Sequence, residues 1–432
     1  MIIEFSITNF GSIREKQTIS FEATKDDTLA QYYTFEPIPN LRLLKLAMIF
    51  GPNASGKSTV LKALEFLRQL ILQPAQNTNE ILPFEPFGLD KTSENQSSHL
   101  ELLFVQEGIK YRYNLDFDSF SIIKETLDFS PKGREANFFK RWTNTYTQSV
   151  HIEYGSLVTI DDKNKLKLEI ATLRNNTVLG IFSKANIDFG GLKLVYDWFG
   201  NHLLPMIAPD MDLLDATTKK IVSSPKIKEE VTQLLKYADV QIENIDIVEK
   251  VKETHKKVYQ EVMMASEPEA VYYAKSHGHT NKEVVFNHLG FDEEGNRALI
   301  PFKVEQESQG TLRYYGLSGV LATLMTEQKM ISIDEFESSL HPDLAQNLIL
   351  RFLVQAKSSQ LLVTTHNIDF LGEQDIIRRD TIWFTQKNKN GATELYSAAD
   401  FDTSVLRKTS SLLNVYETGK LGAKPNLGSI FS

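Results

Sequence analysis

The octapeptide Gly51-Pro52-Asn53-Ala54-Ser55-Gly56-Lys57-Ser58 constrains this chain more than any other segment. It follows the apolar run 43–50 and precedes residues 58–72, whose apolar positions recur with helical spacing. A strand, a tight glycine loop and a helix in that order make a phosphate cradle. Without Cβ atoms at Gly51 and Gly56, successive backbone N–H groups can converge on an anion. Pro52 has no N–H, so the donors must come from later in the loop. Lys57 supplies a mobile cation for the β- and γ-phosphates, and the Ser58 hydroxyl supplies an oxygen for Mg²⁺. The helix N-terminus adds the positive end of its dipole. The candidate nucleotide-binding set is Gly51, Asn53, Ala54, Ser55, Gly56, Lys57, Ser58 and Thr59.

A second apolar run, 330–333, delivers Asp334 and Glu335 at its C-terminal end. Neighbouring side chains at a strand end point different ways. Asp334 is therefore predicted to complete the Mg²⁺ shell, and Glu335 to orient or deprotonate the attacking water. A third run, Leu361-Leu362-Val363, leads through Thr364 and Thr365 to His366. That places His366 near the same sheet edge, able to donate a hydrogen bond to the γ-phosphate. In isolation, an acid pair is equally a solvated loop and a histidine more often a structural one. The upstream phosphate loop turns both toward chemistry.

The chain has 432 residues, which implies two or three domains, and 41% of them are hydrophobic, enough to bury a sizeable interior. The absence of cysteine excludes disulfides, thiolate metal sites and cysteine nucleophiles, and fits a reducing cytoplasm. The N-terminus lacks the unbroken apolar stretch of a secretory signal, and no window approaches the roughly 20 apolar residues of a membrane span. A soluble, cytoplasmic protein with no membrane partner is expected. At a net charge of −9, any nucleic-acid contact needs a local basic patch.

Alternation at Ile3, Phe5 and Ile7 predicts a first strand, residues 17–22 a second, and 100–117 a hairpin turning at Glu107-Gly108. A helix follows Ser224-Pro225, strands return from Val284, and short strands are predicted at 330–333, 360–364 and 381–385. The alternation of strands and helices implies βαβ units and a parallel sheet, an α/β fold.

These pieces resemble the ABC-type ATPase superfamily, in its soluble branch with RecF, SMC and OLD proteins. Glu307-Ser308-Gln309-Gly310-Thr311 is similar to the ABC signature, in the form typical of AAA-type ATP-binding proteins of phage defence. The resemblance implies that Ser308 and Gly310 of one subunit cap the ATP held by the Walker A loop of another. Phe336-Glu337-Ser338-Ser339-Leu340-His341-Pro342 resembles the D-loop of that branch. Asn9-Phe10-Gly11-Ser12-Ile13 resembles its N-F-R-S-I element, with Gly11 where arginine is frequent and Arg14 nearby. No Q-loop glutamine follows the Walker helix; Pro86-Phe87-Gly88-Leu89-Asp90 resembles the motif the family has there. The tail from Tyr416 through Gly419, Gly422, Ala423 and Pro425 resembles the family's ending.

The fold so implied is a P-loop NTPase head, with mixed and parallel sheet flanked by helices. The expected domains are an N-terminal ATPase lobe at 1–168, a mostly helical insertion at 169–283 and a C-terminal ATPase lobe at 284–432. The implied function is a Mg-ATP-dependent ATPase, homodimeric or of higher order, that controls a separate effector, a nuclease or toxin, in antiviral defence. The stretch after His366 is too short for a fused nuclease of typical size. The alternatives are a RecF-like DNA-maintenance ATPase and a nucleotide-gated scaffold with little turnover. His277, His279 and His288 lack a carboxylate or cysteine at ligand spacing and read as strand histidines rather than a metal site. Lys132, Arg134, Lys140, Arg141 and Trp142 form the best basic-aromatic segment for nucleic acid, but read first as a solvated basic face.

Overall fold

The N-terminal alternation becomes strand Ile2–Thr8, antiparallel to Gln17–Ser20 on one side and to Ser98–Gln106 on the other. Hairpins continue this sheet through Ile109–Phe117, Ile122–Ser130, Ala136–Thr143 and Val150–Tyr154, giving seven strands. Glu107 and Gly108 take positive φ values of 49° and 74°, as a two-residue hairpin turn requires. Tyr111, Tyr113, Leu115 and Phe117 point to the buried face, so the pleat fixes the register. The computed structural model describes residues 1–131, 133–185, 187, 189–238, 241–249, 282–372, 376–402 and 411–424.

A second sheet runs in the order Met330–Ile333, Gln360–Thr365, Leu46–Phe50, Ile382–Lys387, Thr393–Ser397. Its first four strands are parallel and the last is antiparallel. The three strands that lead into the predicted site residues are buried along their whole length, as sheets covered on both faces are. The helix Lys57–Leu72 touches both Ile2–Thr8 and Gln360–Thr365. Its Val60, Leu61, Leu64 and Leu67 join a core that includes Ile7, Leu100, Phe104, Ile49 and Leu362. The α/β class is as predicted. The apolar run 43–50 is interrupted: Leu41–Leu44 and Leu46–Phe50 are separate strands. The break is at Lys45, whose buried Nζ donates to the Leu353 carbonyl at 3.1 Å.

The chain divides into two compact units. The first holds Met1–Pro209, Glu327–Ser338 and Arg351–Ser432; the second holds Asp210–Thr326 and Ser339–Leu350. This differs from the three segments expected. Residues 169–209 belong to the first unit because Val178, Leu179, Leu192, Val195 and Trp198 are buried in its core. Trp198 stacks on Phe104 with centroids 4.3 Å apart. Helical spacing shows that a face is apolar without showing which core receives it.

In the second unit, helix Pro225–Tyr237 begins as predicted, with Ser224 Oγ accepting from the Ile227 N–H. A three-stranded antiparallel sheet, Ile242–Glu249, Lys282–Phe291 and Arg297–Lys303, accompanies it, and its first strand lies inside the segment 169–283 expected to be mostly helical. Helix Gln309–Thr326 packs closely on its neighbours through Gly316 and Gly319. A Cβ at Gly316 would lie 2.6 Å from Leu213, and one at Gly319 would lie 2.3 Å from Thr217. Among the described residues, no helix is long and apolar enough to cross a membrane.

Candidate nucleotide site

In open α/β sheets ligands gather beyond the carboxyl ends of the strands, and three adjacent parallel strands end together here. Leu46–Phe50 runs into the phosphate loop, Met330–Ile333 into Asp334 and Glu335, and Gln360–Thr365 into His366. In the pairing, Ile333 is opposite Val363 and Thr365 is opposite Phe50. Residues distant in sequence are therefore brought to one edge by sheet register.

The loop is built to exclude side chains at two points. A Cβ on Gly51 would approach the Thr385 carbonyl oxygen to 2.5 Å, and one on Gly56, at φ +104°, would approach Thr393 Oγ1 to 2.1 Å. Ser55 Oγ pairs with Thr385 Oγ1 at 2.6 Å, and the Ser55 carbonyl accepts from Thr393 Oγ1 at 2.8 Å. Asn53 and Ala54 are exposed at the loop crest, with Ala54 in the left-handed region at φ 60°. Lys57 Nζ donates to the carbonyls of Gly51 at 2.9 Å and Pro52 at 3.2 Å. Burial lowers the Lys57 pKa, and Asp334, Glu335 and Glu337 act against that shift. Thr59 Oγ1 bonds Ser12 Oγ at 2.9 Å, and Ser12 also reaches Thr393 Oγ1 at 2.8 Å, so the N-terminal element braces the loop. Arg14 pairs with Asp90 at 2.6 Å, tying together the two segments that resemble family motifs.

Ser58 Oγ donates to Asp334 Oδ1 at 3.0 Å. A hydroxyl and a carboxylate already joined form a hard-oxygen pair that suits Mg²⁺, and the Cβ-excluding cradle beside them suits a polyphosphate. Thr364 connects the acids: its hydroxyl donates to Asp334 Oδ1 at 2.5 Å and accepts from the Glu335 N–H at 2.8 Å. Glu335 adopts φ 46°, a left-handed conformation costly for a non-glycine residue, and its half-exposed carboxylate lies 3.9 Å from His366 Nε2. Glu337 Oε1 accepts from the His366 N–H at 2.6 Å, while its buried Oε2 has no partner among the described residues. The roles of Thr364 and Glu337 were not predicted. A polar residue inside or just past each strand end was the available signal.

Ser308 and Gly310 lie in the second unit. Ser308 is exposed, and its Oγ accepts from the Thr311 N–H at 3.0 Å across the first turn of helix Gln309–Thr326. A Cβ on Gly310 would come within 3.2 Å of the Ser339 carbonyl oxygen. Glu307 binds His288 Nε2 at 2.6 Å, which occupies the histidine considered for a metal; His277 and His279 lie outside the described residues. No cluster of metal-ligating side chains occurs among the described residues. The basic-aromatic segment is not a continuous surface. Lys132 lies outside the described residues, and Arg141 is fully buried opposite Glu125, with Nη2 donating to the Arg174 carbonyl at 2.9 Å. Lys140 Nζ remains outside, 6.0 Å from the Trp142 ring centroid.

The convergence of phosphate loop, acid pair and histidine on one edge of a parallel sheet is the arrangement of the ABC-type P-loop ATPases, and the chain is of that class. In particular, it belongs to the family described as "AAA domain, putative AbiEii toxin, Type IV TA system", whose sequence profile matches residues 46–371. No curated protein matches it. Among solved structures it is similar to an SMC head domain from Thermotoga maritima, at 13% identity over 92% of this chain and 98% of that one, with a TM-score of 0.39. It is also similar to an Smc head domain with an extended coiled coil, bound to the C-terminal domain of ScpA derived from Pyrococcus furiosus. That match is at 11% identity over 98% of this chain and 99% of that one, with a TM-score of 0.44.

Proposed function

We propose that the chain is a Mg-ATP-dependent ATPase that acts in the cytoplasm as a homodimer or larger assembly. Its nucleotide state would control a separate effector, a nuclease or toxin, in antiviral defence. The observation that carries this reading is the Ser58–Asp334 contact at 3.0 Å beside Glu335 and His366, themselves 3.9 Å apart. Lys57 and the N–H groups of the loop bind the phosphates, and Ser58 with Asp334 would hold a Mg²⁺ ion, which would supply neutralisation of phosphate charge. Glu335 takes the proton of the attacking water at its carboxylate, and His366 donates from Nε2 toward the terminal phosphate. Ser308 and Gly310, on an exposed helix start, complete the site of a second copy. The family's description, which names a toxin and a toxin–antitoxin system, supports the effector part of the reading.

Two variants test it together. Lys57→Ala is expected to lose ATP binding in a titration, and Glu335→Gln to retain bound ATP and shift the chain toward dimer by light scattering. Parental turnover in Glu335→Gln would remove Glu335 as the base. Copurification with and without ATP identifies the effector. Salt-dependent DNA binding stimulated by ATP, with no protein partner, would replace effector control by DNA maintenance.

A further inference from the structure

Beside the phosphate loop is a cavity of about 600 Å³, walled by Gly51, Asn53 and Ser55 on one side and by His366 on another. Its remaining wall comes from Gln386 and Lys387 and, most distantly in sequence, from Tyr416 and Lys424 of the tail. Among the described residues no carboxylate lines it, although the chain as a whole carries a net charge of −9. A basic cavity in an acidic protein selects an anion.

The tail segment is held in place by its own bonds. Tyr416 stacks on Phe384 with centroids 5.7 Å apart and planes at 12°, and Phe384 lies across from Phe50, the residue before the loop. The Tyr416 hydroxyl donates to the Ala423 carbonyl at 2.9 Å, the Tyr396 hydroxyl donates to the Leu421 carbonyl at 2.7 Å, and the Ala423 N–H donates to Gln386 Oε1 at 3.3 Å. Gly422 has φ +66°, and a Cβ there would meet Gln386 Oε1 at 2.4 Å. Ala423, buried, is forced to φ 53°. Two hydrogen bonds fix Ala423, the strained residue that precedes Lys424, and a third fixes Leu421; strain of this kind persists where the surroundings over-determine it. The Lys424 ammonium spends one of its three N–H groups on the Glu417 carbonyl at 2.7 Å.

We propose that this tail turn is a wall of the nucleotide site and that Lys424 is a ligand of the terminal phosphate of a nucleoside triphosphate held on the Gly51–Ser58 loop. The proposal rests on the phosphate reading of that loop. The terminal phosphate is the favoured group because His366 lines the same cavity, and Lys387 supplies a second cation there. A tail anchored to the strand beside the loop then distinguishes triphosphate from diphosphate through one charge-assisted hydrogen bond.

The test is titration of the full chain with fluorescent ATP and ADP analogues. Lys424→Ala is expected to weaken ATP binding about tenfold and ADP binding less than about twofold, the size of one hydrogen bond to a charged group. Lys424→Arg should restore most of the ATP affinity. Tyr416→Phe, which releases the Ala423 carbonyl, should move ATP affinity in the same direction by less. Unchanged ATP affinity in Lys424→Ala, or equal losses for ATP and ADP, would overturn the assignment. Lys57→Ala separates the two levels. If it loses nucleotide while Lys424→Ala does not, only the tail assignment fails; if both bind like the parent, the phosphate reading of the loop fails first.

Discussion

In the parallel sheet of the first unit every residue of Leu46–Phe50, Met330–Ile333 and Gln360–Thr365 is buried, whereas Ile109–Phe117 in the antiparallel sheet alternates buried with half-exposed positions. A strand covered on both faces has no side to offer a ligand, so chemistry collects where it ends. A strand with one wet face divides its residues between core and solvent. The antiparallel sheet contains none of the candidate catalytic residues. It holds two buried charged side chains instead: Glu125 and Arg141 are opposite one another on adjacent strands, both with no exposed surface. Glu125 also accepts from the Tyr113 hydroxyl at 2.7 Å and the Val178 N–H at 2.8 Å. Burial pushes the Glu125 carboxyl up and the Arg141 guanidinium down to about 10, and each charge offsets part of the other's shift. On the proposed function, strand ends and strand faces separate turnover from stability.

Variants at the two places should therefore differ in kind. The largest effect is expected from Glu335→Gln, which should slow ATP turnover by about 10²- to 10⁴-fold, the usual share of a general base, with the melting temperature nearly unchanged. Arg141→Leu should do the reverse. It breaks the Arg141 hydrogen bonds to the Ile122 and Arg174 carbonyls and withdraws the charge that offsets part of the Glu125 shift, and should cost about 1–3 kcal/mol in denaturant unfolding, while the folded fraction binds ATP normally. Loss of turnover per folded molecule in Arg141→Leu would break the separation. Thr364→Val tests the border, because its hydroxyl serves both acids from inside a buried strand. It should lower turnover about tenfold and cost about 1–3 kcal/mol for the orphaned Glu335 N–H. Thr126→Ala, which removes a 3.2 Å cross-strand hydrogen bond from Asn114, should change stability by less than about 1 kcal/mol and turnover not at all.

The same division explains what could be read from the sequence. The meeting of Lys57, Asp334 and His366 at one sheet edge was legible because each lies at or shortly beyond the end of an apolar run. The hairpin at Glu107-Gly108 was legible for a similar local reason. Ser12 and Thr393 were not, since their hydroxyls meet at 2.8 Å across 381 positions and nothing near either residue signals the other. Arg141 was placed in a surface segment because its neighbours are basic; only the pairing with Glu125 shows that the strand turns this residue inward. A mostly helical character was expected from residue 169 onward, but the docking of Trp198 and Phe199 on Phe104 and Tyr113 is a tertiary fact. Lys424 reads from the sequence only as part of a family-like ending, and nothing local signals that the chain returns it to the loop.

The left-handed backbone at Glu335 sets stability against activity at one position. Any L-residue other than asparagine or aspartate pays about 1–2 kcal/mol to stand there, and glycine would relieve it. Laboratory evolution scored on heat resistance alone should accept Glu335→Gly readily and deliver hardier proteins with no turnover. A screen of this chain must score turnover alongside survival.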